Sequence, residues 1–162
     1  MKRIAMIFCL FCSLGITTQA QVNPHAIGLR FGGNGNTNGA QVTYQHGVSS
    51  INRFELDLGF RGRKYYSDMF VSGTYQWVWN ITDNLNWYIG PGAALGFYDW
   101  DDGKTRSSGI NLGIGGQIGI EYDFNPLGAP ILVSIDSRPM FDFIGYDSGF
   151  GWGRALSVRY TW

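Results

Sequence analysis

From His25 onward, apolar and polar side chains alternate along the chain with a period of two, the signature of strands whose two faces meet different surroundings. The segment 110–124 shows it most clearly. Ile110, Leu112, Ile114, Ile118, Ile120, Tyr122 and Phe124 form one face, and Asn111, Gly113, Gly115, Gln117, Gly119, Glu121 and Asp123 the other. A second clear case sets Phe54, Leu56, Leu58 and Phe60 against Arg53, Glu55, Asp57 and Arg61, and a third closes the chain with Leu156, Val158, Tyr160 and Trp162 against Ser157, Arg159 and Thr161. Clusters of Gly, Asn, Asp, Ser or Pro divide the pattern into eight strands, predicted at 25–32, 39–47, 52–61, 69–81, 85–98, 109–124, 130–143 and 153–162.

Alternation alone fits a soluble barrel as well as a membrane one. The chemistry of the faces separates them. A soluble ligand-binding barrel turns its apolar face inward and covers its exterior with charge. Here one face is Ile, Leu, Val, Phe, Tyr, Trp and Gly, with almost no charge. The other carries Arg30, Arg53, Glu55, Asp57, Arg61, Glu121, Asp123, Asp136, Arg138, Asp142 and Arg159, of both signs and nearly balanced. A polar interior inside an apolar exterior is the arrangement lipid requires, where closure also satisfies every backbone group. The fold expected is all-β: an eight-stranded antiparallel up-and-down transmembrane β-barrel with a polar, side-chain-filled interior. Most segments match or exceed the roughly 9–11 residues a tilted strand needs to cross a bilayer.

The connections suggest an orientation. Segments 33–38, 62–68, 99–108 and 144–152 are read as the longer loops, and 48–51, 82–84 and 125–129 as the shorter turns. Short periplasmic turns and longer external loops then place both chain ends in the periplasm. Aromatic residues fall into two groups by depth, as an interfacial girdle requires. Tyr44, Phe54, Trp77, Trp79, Trp87, Tyr122, Phe124, Tyr160 and Trp162 lie towards the periplasmic side, and Phe31, Phe60, Phe97, Phe141 and Phe143 towards the outside.

The first residues have a different character. Lys2 and Arg3 precede an almost wholly apolar stretch from Ile4 to Ile16, and Thr18-Gln19-Ala20 offers small residues for cleavage after Ala20. This reads as a cleavable signal peptide at 1–20, with the barrel domain at 21–162; its apolar core is too short to span a bilayer as a helix. Both cysteines, Cys9 and Cys12, lie inside it, so no disulfide or thiolate chemistry is expected in the barrel. The formal net charge of the whole chain is zero, which leaves no basic excess for nucleic acid. The 24 glycines follow no collagen-like period.

The chain resembles the small eight-stranded outer-membrane β-barrel family, the class of outer-membrane protein X and the membrane domain of outer-membrane protein A. The resemblance covers about residues 25–162 and rests on the eight-segment layout and the last strand, Arg154-Ala-Leu-Ser-Val-Arg-Tyr-Thr-Trp162. Ser134-Ile-Asp-Ser-Arg-Pro139 also looks like a strand element of this family. The resemblance implies insertion by the barrel-assembly machinery, with Tyr160 and Trp162 in its recognition signal. It does not imply one activity, because members range from adhesins and anchors to enzymes and narrow channels.

Candidate chemistry is sparse. Lipid A-modifying barrels use a His with Ser and an acidic residue, but His25 and His46 fall at the periplasmic ends of the first two strands, away from that substrate. They read as interfacial polar residues. Asp99-Trp-Asp101-Asp102-Gly103 lacks the alternate ligand spacing and terminal Glu of a calcium loop. Gly113-Ile-Gly115-Gly116-Gln-Ile-Gly119 has Ile118 where a dinucleotide fingerprint needs its last Gly, and no helix pattern follows. The interior charges read as a salt-bridged plug rather than a conductive path, since eight strands leave an interior that side chains fill. No cofactor or metal is expected. The expectation is a monomeric, non-enzymatic barrel with an envelope-structural or surface-interaction role. Its partners would be outer-membrane lipid, lipopolysaccharide and an unidentified surface ligand, with Tyr65, Tyr66, Trp100 and Trp152 as loop contacts. The alternatives are a lipid A-modifying enzyme and a narrow channel.

Overall fold

In a computed structural model the described residues are 22–33, 38–63, 66–101, 103, 106–144 and 149–162, with the side chains of 38, 61–63, 66 and 106 outside that description. The proposed signal peptide and the 34–37 loop therefore lie outside it. The elements are β1 His25–Gly33, β2 Asn38–Gly47, β3 Asn52–Arg63, β4 Tyr66–Thr82, β5 Leu85–Asp101, β6 Arg106–Asp123, a 3-10 turn at Asn125–Leu127, β7 Ile131–Ile144 and β8 Gly149–Thr161. Each strand pairs antiparallel with the next, and β8 pairs back onto β1 to close the barrel.

The closure is staggered. Pairing runs from Ile27 through Tyr44, Leu56, Gly73, Ala93, Ile114 and Phe141 to Phe150. On its other side Ile27 faces Tyr160, ten residues beyond Phe150. Such a shear tilts the strands across the barrel axis, as a closed sheet requires.

Two prolines sit inside central strands, where the missing N–H would break a ladder. Pro91 keeps its pairing with Gly116 on β6 but not with β4, and Pro139 keeps Trp152 on β8 but not β6. Gly116 thus lies between the two gaps. The ladders resume at Thr74↔Gly92 and Gly115↔Met140, so each defect stays local.

The end holding Val22 and Trp162 is level and closed by short connections. Thr82↔Leu85 brackets Asp83-Asn84, and the turn after β6 is built by Asp123 Oδ1 accepting from the Asn125 N–H at 2.8 Å, with Gly128 at φ +86°. The opposite end is ragged, because β4, β5 and β6 run for 17, 17 and 18 residues while β1 and β2 run for 9 and 10. This corrects the loop assignment. Tyr66–Asp68, Asp99–Asp101, Arg106–Ser108 and Gly149–Trp152 continue the paired strands, so much of 62–68, 99–108 and 144–152, read as long loops, is paired strand.

Candidate functional site

The inward residues of all eight strands converge on one polar network. At its centre is Glu55 of β3, fully buried. Its Oε1 accepts from Arg138 Nη2 at 2.8 Å and Gln117 Nε2 at 3.0 Å, and its Oε2 from Arg159 Nη2 at 2.9 Å and Gln45 Nε2 at 2.6 Å. One carboxylate therefore joins β2, β6, β7 and β8 across the lumen. Charge-assisted bonds of this kind are roughly twice as strong as neutral ones.

Arg138 is the second hub. Besides Glu55 it donates to Asp57 Oδ2 and Ser72 Oγ, each at 2.8 Å, and to Gln117 Oε1 at 3.0 Å. Arg159 also donates to Ser134 Oγ at 2.8 Å and Thr43 Oγ1 at 3.2 Å. Arg30 pairs with Asp136 and reaches Gln41 Oε1 at 3.0 Å. Towards the level end, Arg53 grips both oxygens of Glu121 at 2.9 and 2.6 Å, donates to Gln76 Oε1 at 2.6 Å, and lies 4.9 Å from the centroid of the Tyr88 ring. The local cause is register: period-two strands put every second residue inside, and closure brings opposite walls within side-chain reach.

The outer surface reverses this chemistry. Leu29, Leu58 and Ile135 expose 49, 48 and 59% of their surface, whereas Glu55 and Arg159 expose 0 and 1%. Water on an apolar wall this extensive, around a buried ionic core, would oppose the hydrophobic effect; hydrocarbon does not. Structures of the same design are known. The N-terminal β-barrel domain of Pseudomonas aeruginosa OprF superposes with a TM-score of 0.68 at 15% identity, covering 89% of this chain and 100% of that one. Neisserial surface protein A gives 0.66 at 13% identity over 85 and 95%, and Ail, the attachment invasion locus protein of Yersinia pestis, 0.58 at 14% over 85 and 96%. The chain has the fold of the small eight-stranded outer-membrane β-barrels. No protein-family model matches the sequence. No curated protein matches it either.

Within this outer-membrane barrel fold, Arg30, Arg53, Glu55, Asp57, Glu121, Asp136, Arg138 and Arg159 lie buried in the lumen. Asp142 is half-buried in the same register nearer the ragged end, and the Arg61 side chain lies outside the described residues. Asp123 lies at the rim of the level end, where its carboxylate binds Asn23 and Asn125. Sequence reasoning did not single out the uncharged members Gln41, Gln45, Gln76 and Tyr88. Their inward register was the available signal.

The lumen is filled unevenly. The network packs its middle, and Val22 packs on Val78 and Tyr88 at the level end, with Asn23 bound to Asp123 at 3.0 Å. Towards the ragged end the inward positions are small, among them Gly32, Gly59, Ala94, Gly96, Gly113 and Gly153. There a cavity of about 60 Å³ opens above Arg30 and Arg138, bounded by Gln41, Phe70, Ser72 and Met140. It has room for a few waters.

The proposed contact residues divide. Tyr65 and the side chain of Tyr66 lie outside the described residues, although the Tyr66 backbone pairs with Trp100 in the β4–β5 ladder. Trp100 is a half-buried residue of β5 rather than of a loop. Trp152 is a lipid-facing residue of β8, with its indole N–H donated to Ser137 Oγ and its ring 5.9 Å edge-on from Phe150. It belongs to the aromatic belt, because β8 starts at Gly149 and the parity of Leu156, Val158 and Tyr160 continues to it. At the level end the girdle is a chain of ring contacts: Phe54–Tyr75 and Tyr75–Trp77 edge-on, Trp79–Trp87 and Tyr160–Trp162 stacked.

Proposed function

We propose that the chain is an integral protein of the bacterial outer membrane, monomeric and non-enzymatic, acting as a plugged barrel that supports the envelope or presents its ragged hairpin end to a surface partner. The observation that carries this reading is the Glu55–Arg138–Arg159 network, which ties opposite walls together in the middle of the lumen. Its similarity to Ail, an attachment and invasion protein, favours a surface role over an internal one. The level end, with Val22 and Trp162, faces the periplasm, and the barrel-assembly machinery inserts the chain through the strand ending in Tyr160 and Trp162. Lipid and lipopolysaccharide cover the outer wall.

Planar-bilayer recording tests the plug: the native barrel gives no stepwise conductance, and regular openings would favour a channel. The surface role is read from adhesion of cells displaying the protein. Combined alanine substitution of Tyr65, Tyr66 and Trp100 lowers adhesion while Trp152→Ala, in the lipid belt, does not; unchanged adhesion in the triple variant removes these residues from the role. Against the lipid A-modifying alternative stands the position of His25 and His46, both at the level end. Mass spectra of lipid A with and without the protein are expected to be identical.

A further inference from the structure

His25 and His46 begin and nearly end the β1–β2 hairpin and face each other directly across the ladder. The Gly47 N–H donates to Pro24 O at 2.9 Å, so residues 24 and 47 occupy a hydrogen-bonded position of the ladder, with Pro24 having no N–H to return. The next pair, His25 and His46, is therefore of the non-hydrogen-bonded kind, which brings facing side chains nearer together. Their ring centroids are 5.1 Å apart, yet the two Nδ1 atoms are only 3.4 Å apart. Nitrogens closer than their ring centres lean towards each other. The Tyr44 hydroxyl lies 2.8 Å from His25 Nδ1, and Trp162 stacks on the His25 ring at 5.4 Å, fixing its orientation.

With both rings in the tautomer that carries its proton on Nε2, two Nδ1 lone pairs converge on one region, where a cation binds them both. A tetrahedral ion held about 2.0–2.1 Å from each nitrogen needs them about 3.4 Å apart. We propose that His25 and His46 chelate a divalent first-row transition ion of the imidazole-binding class, with Zn²⁺ as the representative, through their Nδ1 atoms. Water completes the coordination, which is open and exchangeable because His46 is exposed and His25 half-buried; the Tyr44 hydroxyl, at hydrogen-bond distance from His25 Nδ1, orients that ring. The lumen network takes no part, and the belt residues Tyr44 and Trp162 serve to orient the His25 ring.

The test uses untagged full-length protein folded in detergent micelles. The chain contains only two histidines, so its imidazole nitrogen spectrum reports this pair and nothing else. Zn²⁺ is expected to shift the Nδ1 resonances of both rings together, saturating at one equivalent, with a matching calorimetric isotherm. His25→Ala and His46→Ala, and the milder His25→Gln and His46→Gln, each weaken binding at least tenfold. All keep the heat-shifted gel mobility of a closed barrel, since both side chains lie outside the lumen. Tyr44→Phe weakens binding less than either. Resonances that stay still, a response from one ring alone, or an isotherm unchanged by the histidine substitutions would each overturn the proposal.

Discussion

Glu55 illustrates how much rests on single side chains in a lumen of this width. Its four donors come from four strands, and two of them are guanidinium groups. Removing one member of a buried ionic cluster leaves the others uncompensated, at a cost of about 3–5 kcal/mol. Glu55→Ala is expected to destabilise the barrel by about that much, as urea unfolding in lipid vesicles would measure. Tyr88 gives the contrasting case. Its hydroxyl has no hydrogen-bond partner among the described residues, while its ring lies beside Arg53 and packs on Val22 and Val78. In the same assay Tyr88→Phe is expected to change stability by less than about 1 kcal/mol, whereas Tyr88→Ala costs about 3–5 kcal/mol. The ring needs room: a Cβ on Gly119 would lie 2.5 Å from Tyr88 Cζ. Gly119→Val therefore costs about 1–3 kcal/mol through overpacking, and more if the strand cannot shift.

Among the strands, β8 carries the exception to an otherwise apolar wall. Arg154 lies in the outward register between Trp152 and Leu156, near the middle of Gly149–Thr161, opposite Ser137 on β7 and Gly33 on β1. An arginine on the lipid face costs about 2–4 kcal/mol at mid-membrane and about 0–1 kcal/mol near an interface; Arg154, two residues from the belt residue Trp152, lies towards the lower end of that range, and its long stem can carry the charge outward. Arg154→Leu is expected to raise unfolding stability in vesicles, by up to about 1 kcal/mol, and to leave the gel mobility of the folded form unchanged. A loss of stability would mean that the guanidinium has a favourable contact in the membrane. The proline gaps at Pro91 and Pro139 are a second local departure from a regular ladder. Because Pro91, Gly116 and Pro139 lie in one row across β5, β6 and β7, the strands there are held mainly by the bonds on either side.

For the molecule as a whole, closure and the polar plug act together. Apart from the gaps at Pro91 and Pro139, the backbone of the wall is paired around the ring, and side chains from opposite walls brace it from within. Unheated protein should therefore run as a compact band in detergent gels and shift on boiling. If the plug is what blocks the lumen, loosening it should change transport as well as stability. Glu55→Ala combined with Arg138→Ala is expected to produce conductance in planar bilayers where the native barrel shows none. A silent double variant that remains folded would place the barrier elsewhere, with the packing around Val22 at the level end as the next element to test.

Much of this was present in the order of residues. Period-two alternation depends only on the geometry of an extended chain, so Arg53, Glu55 and Asp57 declared a common face, and Phe54, Leu56 and Leu58 the opposite one, before any fold was known. Which face was polar then selected lipid as the surroundings. Strand ends at 62–68, 99–108 and 144–152 were less legible, because pairing persists through polar and glycine-rich sequence once a neighbouring strand continues beside it. That is why Trp152 proved to be a belt residue. Nor did the sequence pair particular charges. Glu55 and Arg138 are 83 positions apart and on different walls, and only barrel closure with its ten-residue stagger brings them to 2.8 Å. The same holds for His25 and His46: their shared end of the barrel was readable from strand order, while the 3.4 Å approach of their ring nitrogens follows from the register of β1 on β2, a property of the folded sheet.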